Sequence, residues 1–590
     1  MCDPSLENPA AFIRYARTAE AVAATTRRNE KSAILGEYFA SLADAELAIA
    51  ARFFSGSIFP LWDQRTTNIG GAGLLNAMTA VTGVERADLT ARLVGLGDLG
   101  DLAFEFFSVR SNQPAQALTL REVYSSFEGI AAASGSKIKT TMLSELLSRA
   151  DALEAKYVVK LLAGDLRIGL KEGSVEDAIA RLAGAKIGEV QWANMLTGDT
   201  GETAVLARHN QLSQARMRLF HPIKFMLATP AASLEDVARQ MPDQFFVEDK
   251  FDGIRTQAHI SPLGTSASSV PAAAPDEPKT TAHGTAENGA RVALFSRTLD
   301  EITRSFPELV APLAALSTAG SGLVFDGEIV PFKDGRILPF LDLQKRLGRK
   351  SLPDELLKEV PVAYIVFDIL YGKESVLINE SLETRRALLE SLVMNDPRVQ
   401  RTDAKRFEGI AELDPEFAAS RARGNEGLMV KSPASQYKPG RRGRDWLKIK
   451  RAMATLDVVV TAVEVGHGRR SRLLSDYTFA VRASEDEPTL LNVGKAYSGL
   501  TDQELEEMSQ WFREHTLKEF AQGRVRIVEP KIVLEVTFDL IQKSNRHKSG
   551  YALRFPRIVR LRPDKSAAEI DTIETVRRLA EQGSVSEQPK

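Results

Sequence analysis

A change of hydrophobic period near residue 220 constrains this chain more than any other feature. Up to about residue 215 the apolar residues recur at helical spacing. In "DALEAKYVVKLLAG", Leu153, Tyr157 and Leu161 form one stripe, Val158 and Leu162 flank it, and Gly164 closes the segment. Beyond "HPIKFMLATPAAS" (221–233), from 244 to about 450, short β-branched and aromatic segments alternate with polar turns. Alternation returns between 455 and 565 in "LDVVVTAVEV", "YTFAVRAS" and "KIVLEVTFDL", around one helical piece, "TDQELEEMSQWFREH". A single core does not grow to 590 residues. The pattern therefore predicts a multidomain α+β chain: a helical domain at 1–215, a mixed α+β domain at 216–451, a small OB-fold β-barrel at 452–570, and a C-terminal helix and polar tail at 571–590.

Within the mixed domain, residues 261–290 are rich in Ala, Ser, Thr, Pro and Gly and nearly free of large apolar side chains. Such a segment does not offset its ordering entropy, and it is expected to be a disordered insert between two strands. The only cysteine is Cys2, which excludes a disulfide framework and a Cys-rich zinc site. A net charge of -2 confines any nucleic-acid contact to local patches. Two basic spots in the helical part, "SGSKIKTT" and "GDLRIGLKEG", are glycine-rich and suit phosphate, but each taken alone reads first as a solvated loop with surface lysines. No run of eighteen apolar residues appears, and the start is acidic, so a soluble cytoplasmic protein with no membrane partner is expected.

The chemistry concentrates in "FVEDKFDGIR" (246–255). In an extended strand residues two apart share a face, so Glu248, Lys250 and Asp252 would point one way and Val247 and Phe251 the other. Asp326 and Glu328 of "VFDGEIV" repeat the pattern, as do Trp446, Lys448 and Lys450 of "DWLKIKR". Lining several strands with ionised groups is costly for a merely structural protein. Each residue alone has an ordinary reading, Phe367 as core and Glu328 and Glu426 as surface carboxylates. The ordered series "SRTLDEIT", "FDGEIV", "FDILYG", "EGLMVKSP", "DWLKIKR" and "RFPRIVRLRPDK" changes that reading.

In content and order these segments resemble the motifs of the covalent nucleotidyltransferases, and most closely those of ATP-dependent DNA ligases. The helical third is similar to the DNA-binding domain of cellular ligases through "LLAGDLRIGL". The resemblance implies that Lys250 is a nucleophile that takes AMP from ATP, passes it to the 5′-phosphate of a nick in duplex DNA, and leaves the 3′-hydroxyl to seal the strand, in replication, recombination and repair. It assigns Glu248, Arg255, Arg297, Glu328, Phe367, Arg444, Lys448 and Lys450 to ATP, with Phe367 stacked on the base. It assigns Glu328 and Glu426 to Mg²⁺, with Lys431 nearby. Arg562, Asp564 and Lys565 belong to a terminal motif that moves over ATP and away again. A monomer closing around nicked double-stranded DNA follows.

Free lysine titrates near about 10.4, so at neutral pH only about one molecule in a thousand is uncharged, a deficit of roughly 4 kcal/mol. Glu248 and Asp252 would deepen that deficit, and Arg255, Lys448, Lys450 and a divalent cation would offset it. Glu426 and Lys431 differ in strand parity, which a bulge at Gly427 would reconcile. Three other readings compete. An RNA ligase or GTP-using capping enzyme usually lacks the helical domain; a non-catalytic clamp would not need Lys250; an NAD-dependent ligase normally carries a four-cysteine zinc site.

Overall fold

The computed structural model describes residues 8–110, 117–231, 233–261, 284–285, 290–317, 322–347, 352–450, 454–466, 470, 472–521, 523–538 and 540–584. They fall into two compact units. One comprises Met1–Asn68, Leu118–Ala132 and Gly164–Arg451; the other comprises Ile69–Ala117, Ala133–Ala163 and Ala452–Lys590.

The first third is helical, from Phe12–Ala23 to Thr200–Arg208. Asp151 caps the helix Ala152–Leu162, accepting from the Glu154 N–H while Glu154 reaches back, and Gly164 follows with φ +71°. The two basic spots are not alike. Lys137 and Lys139 of "SGSKIKTT" lie in the first turn of the helix Ser136–Ser148, with Lys139 buried. "GDLRIGLKEG" is a loop up to Lys171, where the helix Glu172–Ala183 begins, and it is pinned by the buried Lys31, whose ammonium donates to the carbonyls of Ile168 at 2.7 Å and Gly169 at 3.0 Å.

The first unit also holds two sheets. Its strands are β1 (Leu227–Pro230), β2 (Gln244–Lys250), β3 (Ile254–Ile260), β4 (Gly284–Thr285), β5 (Arg291–Ser296), β6 (Leu323–Lys333), β7 (Arg336–Ile337), β8 (Val362–Gly372), β9 (Ser375–Val376), β10 (Val399–Arg401), β11 (Lys405–Glu408), β12 (Gly427–Lys431) and β13 (Arg442–Lys450). One sheet has the order β1-β13-β12-β2-β11; the other runs β10-β8-β6-β3-β5-β4, with β7 beside β6 and β9 beside β8. Each sheet packs its own apolar cluster. A third cluster, containing Met226, Val324, Leu370, Tyr437 and Trp446, joins them and fixes the spacing of their polar faces. Most of the expected insert lies outside the described residues, but Gly284 and Thr285 pair with Val292 and Arg291, so at least that part is strand.

The second unit contains a barrel-like sheet of β14 (Thr455–Val465), β15 (Leu474–Arg482), β16 (Leu490–Ala496), β17 (Thr516–Phe520), β18 (Val525–Val528), β19 (Val533–Thr537) and β22 (Arg557–Leu561), beside a hairpin of β20 (Leu540–Lys543) and β21 (Tyr551–Arg554). The helix Asp502–Glu514 carries a Thr501–Glu504 capping box. The C-terminal helix Ile573–Ser584 is docked, with Val576 fully buried in the barrel core. Ile573, Val576, Leu579 and Ala580 recur along it at helical spacing and pack on that core.

Candidate active site

β12 lies between β2 and β13, and the register sets the site out in rungs: Lys250, Gly427 and Lys450 in the first, Glu248, Met429 and Lys448 in the second, Phe246, Lys431 and Trp446 in the third. One face of this sheet is therefore cationic at one end and aromatic at the other. Asp252 does not share it. β2 ends at Lys250, and Asp252 sits half-buried in the turn to β3. Gly253 in that turn admits no side chain, because a Cβ would stand 2.3 Å from the Ile329 carbonyl.

Glu426 reaches the same face without a bulge in β12. Gly427 holds φ +151°, and a Cβ there would lie 2.2 Å from the Ile449 carbonyl, so glycine is required. The turn carries the Glu426 carboxylate to 2.6 Å from the Lys250 ammonium and 2.6 Å from that of Lys450. Burial opposes its ionisation, but the two ammonium groups, Lys250 foremost, hold its carboxyl below the usual range. The carboxylate against Lys250 is thus Glu426. Glu248, expected in that role with Asp252, is buried and accepts from Lys431 at 2.6 Å and from Arg386 at 3.4 Å. The Lys431 ammonium also stands 4.6 Å from the Phe367 ring centre and 4.3 Å from that of Trp446.

The second sheet faces this array. Arg255 and Glu328 are register partners on β3 and β6. The Arg255 guanidinium donates to both oxygens of buried Asp326, at 3.1 and 2.7 Å, and to the Met226 carbonyl at 2.7 Å; Asp326 also accepts from the Tyr437 hydroxyl at 2.7 Å. Burial pushes the half-buried Glu328 carboxyl up to about 7, against the opposing pull of Lys250 and Arg255. Burial also lowers the Lys448 pKa, helped by its like-charged neighbours Lys450, Lys250 and Arg442.

The cleft between the sheets is open to solvent and spans about 780 Å³ including its mouth. Its apolar wall is Leu227, Ala228, Phe251, Phe367, Met429 and Trp446; its charged wall is Glu248, Asp249, Lys250, Arg255, Arg297, Glu328, Lys431, Arg442 and Lys448. Flat rings opposite a set of cations suit a base joined to phosphates. Arg297, exposed at the tip of the turn after β5, is part of the lining. Arg444 is exposed and is not; Arg442 stands in its place. Both share strand parity with Lys448, so spacing alone does not choose between them. The pairing of β1 with β13 slips between Leu227–Arg442 and Thr229–Leu447, and Arg444 falls in the slipped stretch.

Among the described residues no group of three or more His, Cys, Asp or Glu side chains could hold a metal ion. Glu328 and Glu426 are two neighbouring carboxylates, and the charge of Glu426 adds to the cost of ionising Glu328. That donor set fits an ion held by one or two carboxylates and substrate phosphates. In the second unit, Arg562 and Lys565 both engage Asp457, at 2.8 and 2.6 Å, and Arg562 also pairs with Asp564 at 2.8 Å. The hydrogen bond from Arg562 holds the Asp564 carboxyl down at about 2.

Three family models match: "DNA ligase N terminus" at residues 11–180, "ATP dependent DNA ligase domain" at 283–450 and "ATP dependent DNA ligase C terminal region" at 470–565. The chain is 47% identical over 588 residues to a protein of Koribacter versatilis named "Probable DNA ligase", covering 96% of each chain. It is 34% identical to the "DNA ligase" of Archaeoglobus fulgidus, over 96% of this chain and 98% of that one. The solved structure "Pmar-Lig_PreS3" shares the fold, with a TM-score of 0.58 at 16% identity, covering 93% of this chain and 99% of that one.

Proposed function

The chain belongs to the ATP-dependent DNA ligase family, and from that premise we propose that Lys250 is the amine that receives AMP. It is an enzyme that joins DNA strands at the expense of ATP; an RNA ligase or capping enzyme is not favoured. The observation that carries the assignment is the place of Lys250, at the end of β2 in the cationic part of the cleft, on a sheet face whose other end carries Trp446.

The uncharged nitrogen of Lys250 attacks the α-phosphorus of ATP. A P–N bond forms, the bond to the bridging oxygen breaks, and pyrophosphate leaves with that electron pair. Lys448, Lys450 and Arg255 draw on the charge of the phosphoryl oxygens. Glu426, at 2.6 Å, is the carboxylate within reach of the proton that Lys250 gives up. Phe367 and Trp446 hold the base, Glu248, Arg255, Arg297 and Arg442 contact the nucleotide, and Glu328 takes the ribose or the metal. Family membership brings a divalent ion; Mg²⁺ held by Glu328, Glu426 and phosphate oxygens would neutralise triphosphate charge. AMP then passes to the 5′-phosphate of nicked duplex DNA, and the 3′-hydroxyl displaces it.

Domain boundaries at 215/216 and 451/452, a monomeric state and a cytoplasmic location complete the proposal. No helix among the described residues is long and apolar enough to cross a membrane. The test is the mass of the intact chain after incubation with ATP and Mg²⁺, followed by peptide mapping. The parent should gain one adenylyl group on Lys250, and Lys250→Ala should gain none and seal no nicks. An adduct on Lys250→Ala, or one mapped to another residue, would overturn the assignment.

A further inference from the structure

We propose that Gln64, from the helical third of the chain, is a positioning residue for Arg297 and so for the affinity of the enzyme for ATP. The inference rests on the assignment of Arg297 to the nucleotide. Residues 60–68 form neither helix nor strand, yet successive residues are fixed within their own compact unit. The Leu61 N–H donates to the Gly198 carbonyl at 2.9 Å. Trp62 stacks on His221 with ring centres 4.7 Å apart. Asp63 pairs with Arg65 at 2.7 Å, and that guanidinium lies 4.7 Å over the Phe59 ring. A loop anchored at this many points is a stiff support.

Gln64 uses its amide as a neighbouring strand would use its backbone. Its Nε2 donates to the Leu299 carbonyl at 3.2 Å, and its Oε1 accepts from the Glu301 N–H at 2.8 Å. The segment it grips is the hairpin that carries Arg297. Phe295 pairs with Glu301 across it, the Leu299 N–H returns to the Ser296 carbonyl at 2.8 Å, and the Ile302 N–H to that of Leu294 at 2.8 Å. Leu299 holds φ +70°, a left-handed conformation that a bulky residue keeps only when its surroundings impose it. Gln64 bonds that residue's carbonyl and the N–H two positions on, so it bears on the strained corner directly. Arg297 is exposed, and no hydrogen bond or ion pair to another described residue fixes its guanidinium. Its aim into the cleft therefore comes from the hairpin.

The experiment is self-adenylylation of the full chain against ATP concentration, for the parent, Gln64→Leu, Gln64→Glu, Arg297→Ala and the double variant Gln64→Leu with Arg297→Ala. Gln64→Leu keeps the bulk and loses both bonds; its apparent KM for ATP should rise by about three- to tenfold, the range of one or two lost hydrogen bonds, with little change in the limiting rate. Gln64→Glu keeps the acceptor for Glu301 and loses the donor for Leu299, so its KM should fall between the two. The double variant should be no worse than Arg297→Ala alone, because the two residues act as one unit. Additive effects, or a lower unfolding midpoint with an unchanged KM in both Gln64 variants, would overturn the positioning role. An unchanged KM in Arg297→Ala would overturn the nucleotide assignment itself, which a raised KM there would leave standing whatever Gln64 does.

Discussion

Glu328 is a carboxylate placed where ionising is costly. Burial moves it from the ordinary 4.5 up to about 7, while Lys250 and Arg255 pull the other way. The folded chain therefore holds this proton more tightly than the unfolded chain. The resulting destabilisation is fully present above pH 7, shrinks as pH falls between 7 and 4.5, and vanishes below that range. Glu328→Gln should accordingly be more resistant to urea than the parent at pH 8, by no more than about 3 kcal/mol, and equal to it near pH 4.5, while losing nucleotide affinity. Equal resistance at pH 8 would contradict the burial argument. Arg442 and Arg444 show how far a residue can be read from its neighbours. Both sit in one basic run at even spacing from Lys448, yet it is Arg442, register partner of Leu227, that lines the cleft. Glu248 teaches the same lesson. Its strand face was legible from alternation, but its partners Lys431 and Arg386 come from β12 and a helix more than a hundred residues away.

At the scale of elements, β12 and the helix Leu382–Ser391 hold the site. Consecutive arginines of that helix serve the two sheets separately: Arg385 forms a fully buried ion pair with Asp368 of β8, and Arg386 reaches Glu248 of β2. A buried pair of this kind adds little net stability, but losing one partner leaves a charge stranded. Gly427 decides where β12 begins and which way Glu426 turns. In Gly427→Ala the new Cβ would meet the Ile449 carbonyl at 2.2 Å with φ already at +151°. We expect a loss of about 2–4 kcal/mol from overpacking and backbone strain, read by urea unfolding, together with a fall in adduct yield, read by intact mass. Unfolding and yield at parental levels would show that the turn adapts. The amphipathic patterns of the helices Ala152–Leu162 and Asp502–Glu514 were legible because caps and apolar stripes are local signals. "SGSKIKTT" was not: Gly135 precedes a helix there, and the buried face that recruits Lys139 is made by other segments.

Over the whole molecule, net charge is -2 and nucleic-acid contact depends on where cations remain available. The stripe at 554–565 is partly neutralised within its own unit, Arg560 by Glu535 and Arg562 and Lys565 by Asp457. Binding to nicked duplex through phosphates should still weaken steeply with salt, by roughly 10³-fold or more between 50 and 200 mM if six or more phosphates are contacted. Fluorescence anisotropy over that range tests it, and a flat response would remove phosphate contact as the main source of affinity. The division of the chain is where sequence and structure part most. Hydrophobic period separates a helical third from two β-rich regions, while packing assigns Ile69–Ala117 and Ala133–Ala163 to one unit and the rest of the helical third to the other. Periodicity reports which face of an element is buried, and says nothing of the surface that buries it. By itself the sequence determined the helical and strand regions and the order of the charged strands, because alternation and spacing are properties of adjacent residues. Only the tertiary structure decided that Glu426 faces Lys250, that Arg442 lines the cleft and that Gln64 braces the Arg297 hairpin. Those relations depend on register and packing between segments far apart in the chain, and no local pattern encodes them.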